Sequence, residues 1–379
     1  MRASTIASMR AAQRIAAHHH QLRVRVPAAS SSAAAVRSAP HVLALLSVTR
    51  SFSVATVSSN ASTTARAADA TTPPVKSVRP PRPELPEPRF IEVDGKCVIK
   101  YVEFIPENAT NATPTVILIH GAPGSYKDFR YLMPLLHQKN VRVLGVNLPG
   151  FDGSEVIDTE NYYEHISAIP AVQSTLEGVA TLCKGHENVF VLGHSFGGHA
   201  AMHFAGLNQV QQKVNLKGLF LLASAGFKPH KALVPSINHI MWVLLSSKVP
   251  VLEKIGKKMT HYIYTKHLRF PDNAPLEYYA AGIVRCASAD FGAFRQHLES
   301  IKDLPSFVAW AQDDLLIQEE IFMDVASRCH PGPRFAFIKG GHNVQKTKAD
   351  ILALEMAQWM ENVAASKHKA YTHNVKVLP

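Results

Sequence analysis

The side chains best suited to chemistry in this chain converge on Ser195. The run Val189-Phe190-Val191-Leu192-Gly193-His194-Ser195-Phe196-Gly197-Gly198 is an aliphatic, β-branched strand that stops at a serine with glycines two residues before and two after it. Residues 198–208 read as the helix that follows. Such a strand–turn–helix, a nucleophile elbow, pushes one hydroxyl out above a sheet, and glycines permit the close approach of helix to strand. A serine hydroxyl is a weak nucleophile at neutral pH; it needs a base, and the base needs an acid that orients it. Two later segments supply both. Phe307-Val308-Ala309-Trp310 reads as a strand with Asp313 and Asp314 beyond its carboxyl end, and Phe335-Ala336-Phe337-Ile338 reads as a strand followed by Lys339-Gly340-Gly341-His342. The predicted set is therefore Ser195 as nucleophile, His342 as base, and one of the adjacent pair Asp313 and Asp314 as orienting acid. The strand Thr115–Ile119 ends in His120-Gly121-Ala122-Pro123-Gly124, where a glycine lets the backbone aim its amides at the site. The N–H groups of Ala122 and Phe196 are the predicted donors to a developing oxyanion.

These residues need a scaffold that brings distant strand ends together. A hairpin is predicted near the start of the folded part, with Asp94-Gly95 as its turn. Short continuous apolar runs then alternate with helical spacing: strands over 115–119, 141–146, 189–192, 216–222, 307–310 and 335–338, helices over 127–137, 169–182, 319–329 and 351–363. Continuous apolar runs are the mark of strands buried on both faces, so an α/β fold with a mostly parallel sheet and helices on both sides is expected. In such sheets the ligand sits beyond the carboxyl ends of the strands. Residues 228–303 break the rhythm with helical spacing over 238–245, 277–287 and 291–298, and are too long for an ordinary loop. They read as an inserted helical cap. Its residues Ile240, Met241, Trp242, Leu244 and Leu245 could line an acyl pocket or simply pack; Tyr278 and Tyr279 could bond substrate or simply pack.

His120-Gly121-Ala122-Pro123-Gly124-Ser125 resembles the H-G-x-P segment of the α/β-hydrolase superfamily, in the branch that holds epoxide hydrolases, haloalkane dehalogenases, C–C bond hydrolases and simple esterases. Asn147-Leu148-Pro149-Gly150-Phe151-Asp152-Gly153-Ser154 resembles that branch's D-x-P-G-x-G-x-S turn, with Asn147 in place of the usual acid and Asp152 in place of the usual glycine. The resemblance covers about residues 90–363. It implies the nucleophile–acid–histidine order Ser195, Asp314, His342, with Asp314 preferred over Asp313 because the family places the acid four residues after the strand's aromatic position. Ser195 stands where epoxide hydrolases and dehalogenases carry aspartate. The resemblance therefore implies cleavage of a carboxylic ester, thioester or amide through an acyl-enzyme, on a small-molecule substrate and without metal or organic cofactor. Acyl transfer or C–C bond cleavage on the same triad is the alternative, because acceptor choice lives in the cap. A non-catalytic binding protein on the same fold is a third reading, which retention of serine and histidine disfavours.

Composition bounds the rest. The net charge of +11 belongs to the leader: residues 1–68 hold eight arginines and no acid, which leaves 32 basic against 29 acidic residues, or +3, in the remainder. That remainder offers no basic stripe for nucleic acid or a membrane surface. Residues 1–68, rich in Arg, Ala and Ser, describe a disordered mitochondrial transit peptide, with a processing site after Phe52. A secretory signal built on residues 41–48 is the alternative reading, and only then would the sequons at Asn60, Asn108 and Asn111 matter. The triplet His18-His19-His20 lies inside this leader. Residues 69–88 are a proline-rich linker, 89–365 the hydrolase domain and 366–379 a tail. Four scattered cysteines, without zinc spacing, suit unpaired thiols in a reducing compartment. No apolar run reaches 18 residues, so no membrane-spanning helix is expected.

Overall fold

A computed structural model of the chain describes residues 82–366 and 371–379. The transit-peptide reading of residues 1–68, the His18–His20 triplet and the linker up to residue 81 lie outside them.

The Asp94-Gly95 turn, both residues at positive φ, folds β1 (Arg89–Val93) back on β2 (Cys97–Phe104). Then come β3 (Thr115–Ile119), α1 (Leu132–Gln138), β4 (Arg142–Val146) and the two-residue β5 (Glu155–Val156). They are followed by α2 (Tyr162–His165), α3 (Ala168–Leu182), β6 (Val189–His194), α4 (Phe196–Gln211) and β7 (Leu216–Leu222). Between β7 and β8 (Ser306–Ala311) the chain leaves the sheet and builds four helices: α5 (Pro235–Leu245), α6 (Pro250–Tyr262), α7 (Leu276–Ala287) and α8 (Phe291–Ser300). The chain closes with α9 (Glu319–Arg328), β9 (Arg334–Phe337), α10 (Val344–Thr347), α11 (Ala349–Ala364) and β10 (Lys376–Leu378).

The strands form one sheet in the order β1-β2-β4-β3-β6-β7-β8-β9-β10, with β5 paired to β2. β2 is antiparallel to β1, β4 and β5; every pairing from β4 to β10 is parallel. Every residue of β3, β4 and β6 is buried, as strands covered on both faces require. Trp359 of α11 packs against Phe190, Phe220 and Phe307 from three neighbouring strands. Register explains why distant residues meet. Ile119, Gly193, Leu221, Val308 and Arg334 form one lateral row across five strands. Gly121 and Ser195 lie two residues beyond that row, Asp314 six and His342 eight, so all emerge at the same edge.

Three sequence expectations change in detail. The helix expected over 127–137 is split into a tight 3-10 turn, Tyr126–Phe129, and α1. The Ser125 amide donates to Asp128 and holds that turn shut. The cap has a fourth helix, α6, that the helical spacing did not reveal. The stretch read as a tail ends in β10, which extends the sheet in parallel register, Lys376 opposite Phe335 and Leu378 opposite Phe337. Cys97, Cys183, Cys286 and Cys329 are all unpaired. Among the described residues no helix is long and apolar enough to cross a membrane.

Candidate active site

Ser195 sits between β6 and α4 with φ 57° and ψ −127°, a conformation an L-residue adopts only under strain. Two glycines make that turn possible. A Cβ on Gly193 would lie 2.1 Å from the Gly197 carbonyl oxygen, and one on Gly197 would lie 2.3 Å from that of Ile119. The turn is held by the Ser195 amide, which donates to Leu222, and by the Ser195 carbonyl, which accepts from Ala225.

The structure brings the predicted serine, histidine and one of the two aspartates together. Ser195 Oγ lies 2.8 Å from His342 Nε2, and His342 Nδ1 lies 2.7 Å from Asp314 Oδ2. Facing a carboxylate, Nδ1 carries the proton, which leaves Nε2 free to accept the serine hydroxyl. Asp314 Oδ1 accepts the amides of Leu316 and Ile317 at 2.8 and 3.1 Å. Burial alone would raise this carboxyl; the His342 bond and the two amides outweigh it and hold it below its ordinary range. Asp313 has a different task. Its Oδ1 accepts the amides of Gly340 and Gly341 at 2.9 and 2.7 Å, fixing the turn that delivers His342.

Ala122 and Phe196 line the same cavity as Ser195, and neither of their amides donates a hydrogen bond among the described residues. The Ala122 amide is oriented from behind. The Gly121 carbonyl, on the opposite side of that peptide, accepts from His120 Nδ1 at 2.7 Å and from Arg285 Nη1 at 3.3 Å. In a planar peptide a carbonyl fixed into the protein turns the next N–H outward. His120 Nε2 accepts the Leu148 amide at 3.1 Å, so the ring is neutral with both nitrogens used. Burial, reinforced by Arg285, pushes it down to about 3.

Sequence reasoning missed two positioning groups. Arg285, on α7, is 1% exposed and has no carboxylate partner among the described residues. Its guanidinium lies 5.5 Å from the ring centroids of both Phe151 and Phe196. Burial lowers it to about 10, so it stays charged behind the Ala122 loop at neutral pH. His194 Nε2 donates to the His342 backbone carbonyl at 2.9 Å, and Gln345 donates to its Nδ1 at 3.3 Å. Burial and the adjacent His342 push His194 down to about 3. No local pattern marks either residue, because each acts on backbone more than a hundred positions away.

A cavity of about 900 Å³ opens over Ser195. Its cap wall includes Tyr264, Phe270, Tyr278, Ile283 and Cys286, and its floor includes Ala122, Phe196 and His342. The α5 residues Ile240, Met241, Trp242, Leu244 and Leu245 do not line it. Met241 and Leu245 point into the core, and Ile240 points to solvent. Tyr278 lines the cavity, as does Tyr279, whose hydroxyl is already committed to the Pro271 carbonyl. The departures in the Asn147–Ser154 turn are absorbed locally. Asn147 Oδ1 accepts the Tyr126 amide at 2.7 Å while its Nδ2 donates to the Asp152 carbonyl, and Asp152 takes positive φ and pairs with Lys127.

An open, mostly parallel sheet with an antiparallel second strand, a strained serine after its central strand and a helical excursion before β8 defines an α/β-hydrolase. The chain belongs to the family described as alpha/beta hydrolase of unknown function (DUF1057), which residues 88–375 match. A Caenorhabditis elegans protein is 25% identical over 236 residues, covering 60% of this chain and 63% of that one, so the match spans less than two thirds of the relative's length. Among solved structures, DbjA shares 16% identity with a TM-score of 0.54, over 75% of this chain and 99% of that one. An epoxide hydrolase of the superfamily from hot-environment metagenomes shares 14% identity with a TM-score of 0.52, over 72% and 98%.

Proposed function

We propose that this protein is a serine hydrolase that cleaves a carboxylic ester or thioester through an acyl-enzyme on Ser195, His342 and Asp314. The observation that carries the reading is the continuous line of two short hydrogen bonds from Asp314 through His342 to a serine at a strained turn. Ser195 Oγ attacks the substrate carbonyl and its proton passes to His342 Nε2. The negative charge that develops on the carbonyl oxygen is met by the amides of Ala122 and Phe196, with the Arg285 charge behind them. The tetrahedral intermediate collapses, the leaving alcohol or thiol takes the proton from His342, and an ester of Ser195 remains. Water attacks that ester, gives its proton to the same nitrogen, and the acid leaves as Oγ is reprotonated. An aspartate at position 195 would instead suit attack on saturated carbon; a serine favours acyl chemistry.

The test is a fluorophosphonate probe on the full chain, followed by a panel of p-nitrophenyl esters of graded acyl length. Labelling and turnover are expected in the wild type, with loss of both in Ser195→Ala and a fall of at least about 10³-fold in kcat. Folded wild-type protein that neither labels nor turns over any ester or thioester would overturn the proposal.

A further inference from the structure

The near-neutral folded part conceals one concentrated charge, against the expectation that it holds no basic stripe. Residues 228–269 contain eight lysines and arginines against a single acid, Glu253. Glu253 is itself committed, to Lys257 at 2.8 Å and to the Tyr163 hydroxyl at 2.7 Å. Lys248, Lys254 and Lys258 are exposed and form no ion pair among the described residues.

The same segment turns apolar side chains outward. On α6, Val251 is 67% exposed, Tyr262 56%, and Ile255 and Met259 44% each. At about 100° per residue these four share an arc of about 80°, and Lys254 and Lys258 fall on the arc beside it. The opposite face of α6 holds the buried Gly256 and Thr260 that pack against the cap. On α5, Ile237, Ile240 and Val243 repeat every third residue and are likewise exposed. An apolar arc on α6 edged by unpaired lysines results, packed beside an α5 that also turns apolar residues outward, on helices that elsewhere in the molecule would turn such residues inward.

We infer that the face formed by α5 and α6 docks on the surface of an anionic lipid bilayer. Charge complementarity selects this occupant. A two-fold contact with a second copy would set one row of unpaired lysines near another, because the acids beside them, Glu253, Glu277 and Asp272, are already committed to Lys257, His261 and Lys266. A nucleic-acid backbone would answer the lysines but leave the aliphatic row against water. A bilayer interface meets both, with headgroup phosphates for the ammonium groups and acyl boundary for Val251, Ile255 and Met259. The chain running on from α6 supplies Ile263, Leu268 and Phe270 to the cavity wall, so the docking face and the cavity share one piece of structure. The inference does not depend on the chemistry proposed for Ser195.

The test reads this face locally, because the arginine-rich leader carries charge of its own. An environment-sensitive fluorophore is placed at Val251→Cys in the full chain, and in a control at Val210→Cys, 80% exposed near the far end of α4. Unsubstituted protein treated in the same way gives the background from native thiols. Each is mixed with vesicles of phosphatidylcholine, with or without phosphatidylglycerol. A blue shift at position 251 but not 210, only with phosphatidylglycerol, is expected. Lys254→Ala with Lys258→Ala should weaken the apparent affinity roughly twentyfold. No shift at 251, an equal shift at 210, an equal shift with neutral vesicles, or a shift that tracks protein concentration without lipid would each overturn it, the last by assigning the face to a second copy.

Discussion

Asp313 and Asp314 are neighbours in sequence, yet their carboxylates serve different partners. Asp314 holds the His342 ring, whereas Asp313 holds the two glycine amides before it. Removing the charge of Asp314 leaves the imidazole without its orienting acceptor, so Asp314→Asn should lower kcat by about 10⁴-fold. Asp313→Asn keeps an acceptor oxygen for the glycine amides and should cost roughly tenfold or less. Steady-state kinetics on one ester compares the two, and equal losses would contradict the division of labour. Arg285 offers a second test at this scale. Arg285→Met keeps the packing between Phe151 and Phe196 but leaves the Gly121 carbonyl with His120 as its one remaining donor and removes the charge. A drop in kcat of roughly tenfold to a hundredfold with little change in KM is expected, since the effect falls on the oxyanion. A change confined to KM would place Arg285 in packing alone.

At the scale of the element, the elbow tolerates no added bulk. A Cβ on Gly197 would meet the backbone of Ile119 and His120, which cannot swing aside as a side chain can. Gly197→Ala should therefore lower the melting temperature by several degrees, at a cost of about 1–3 kcal/mol, and disturb Ser195 labelling; an unshifted melting curve would contradict this. The central strands, the elbow and the order of the three site residues were legible because each has a local signature: unbroken apolar runs, paired glycines, and polar residues directly after a strand. Helix α6 was not, because its apolar residues face outward and its buried face is Gly256 and Thr260, the inverse of an ordinary amphipathic helix. β10 escaped because three residues, Lys376–Leu378, carry no periodicity; the edge of β9 makes them a strand. The roles of Arg285 and His194 were hidden for a related reason. Their partners are backbone carbonyls brought near by topology, and a carbonyl leaves no mark in a sequence.

Across the whole molecule, neutral histidines, four of them buried and His230 half-buried, should set the acid limit. His120 and His194 are pushed down to about 3, His199 and His230 to about 4, and His203 to about 2, in each case chiefly by burial. In the unfolded chain each titrates near 6.5. Below that value the unfolded state takes up protons that the folded state refuses, so stability is full above about 6.5 and is lost as pH falls toward the folded values, by up to about 1.4 kcal/mol per pH unit for each histidine. The depressed carboxyl of Asp314 acts in the same direction at lower pH. Calorimetry from about pH 8 to 4 should show a melting temperature that drops steeply below about 6.5; a flat profile would contradict the neutral-histidine account. Residues 1–68 hold eight arginines and no acid. We propose a mitochondrial destination for this leader, on its arginine-rich, acid-free composition. A fusion of residues 1–70 to a fluorescent protein should co-localise with mitochondria, and a diffuse cytosolic signal would overturn that reading.

The guanidinium of Arg285 crosses from the excursion before β8 to the loop after β3. If Ser195 acts as proposed, a guest too bulky for the roof to settle over it would also withdraw the strut behind the Ala122 amide. Discrimination by size should consequently surface as slower turnover, and not merely as looser capture.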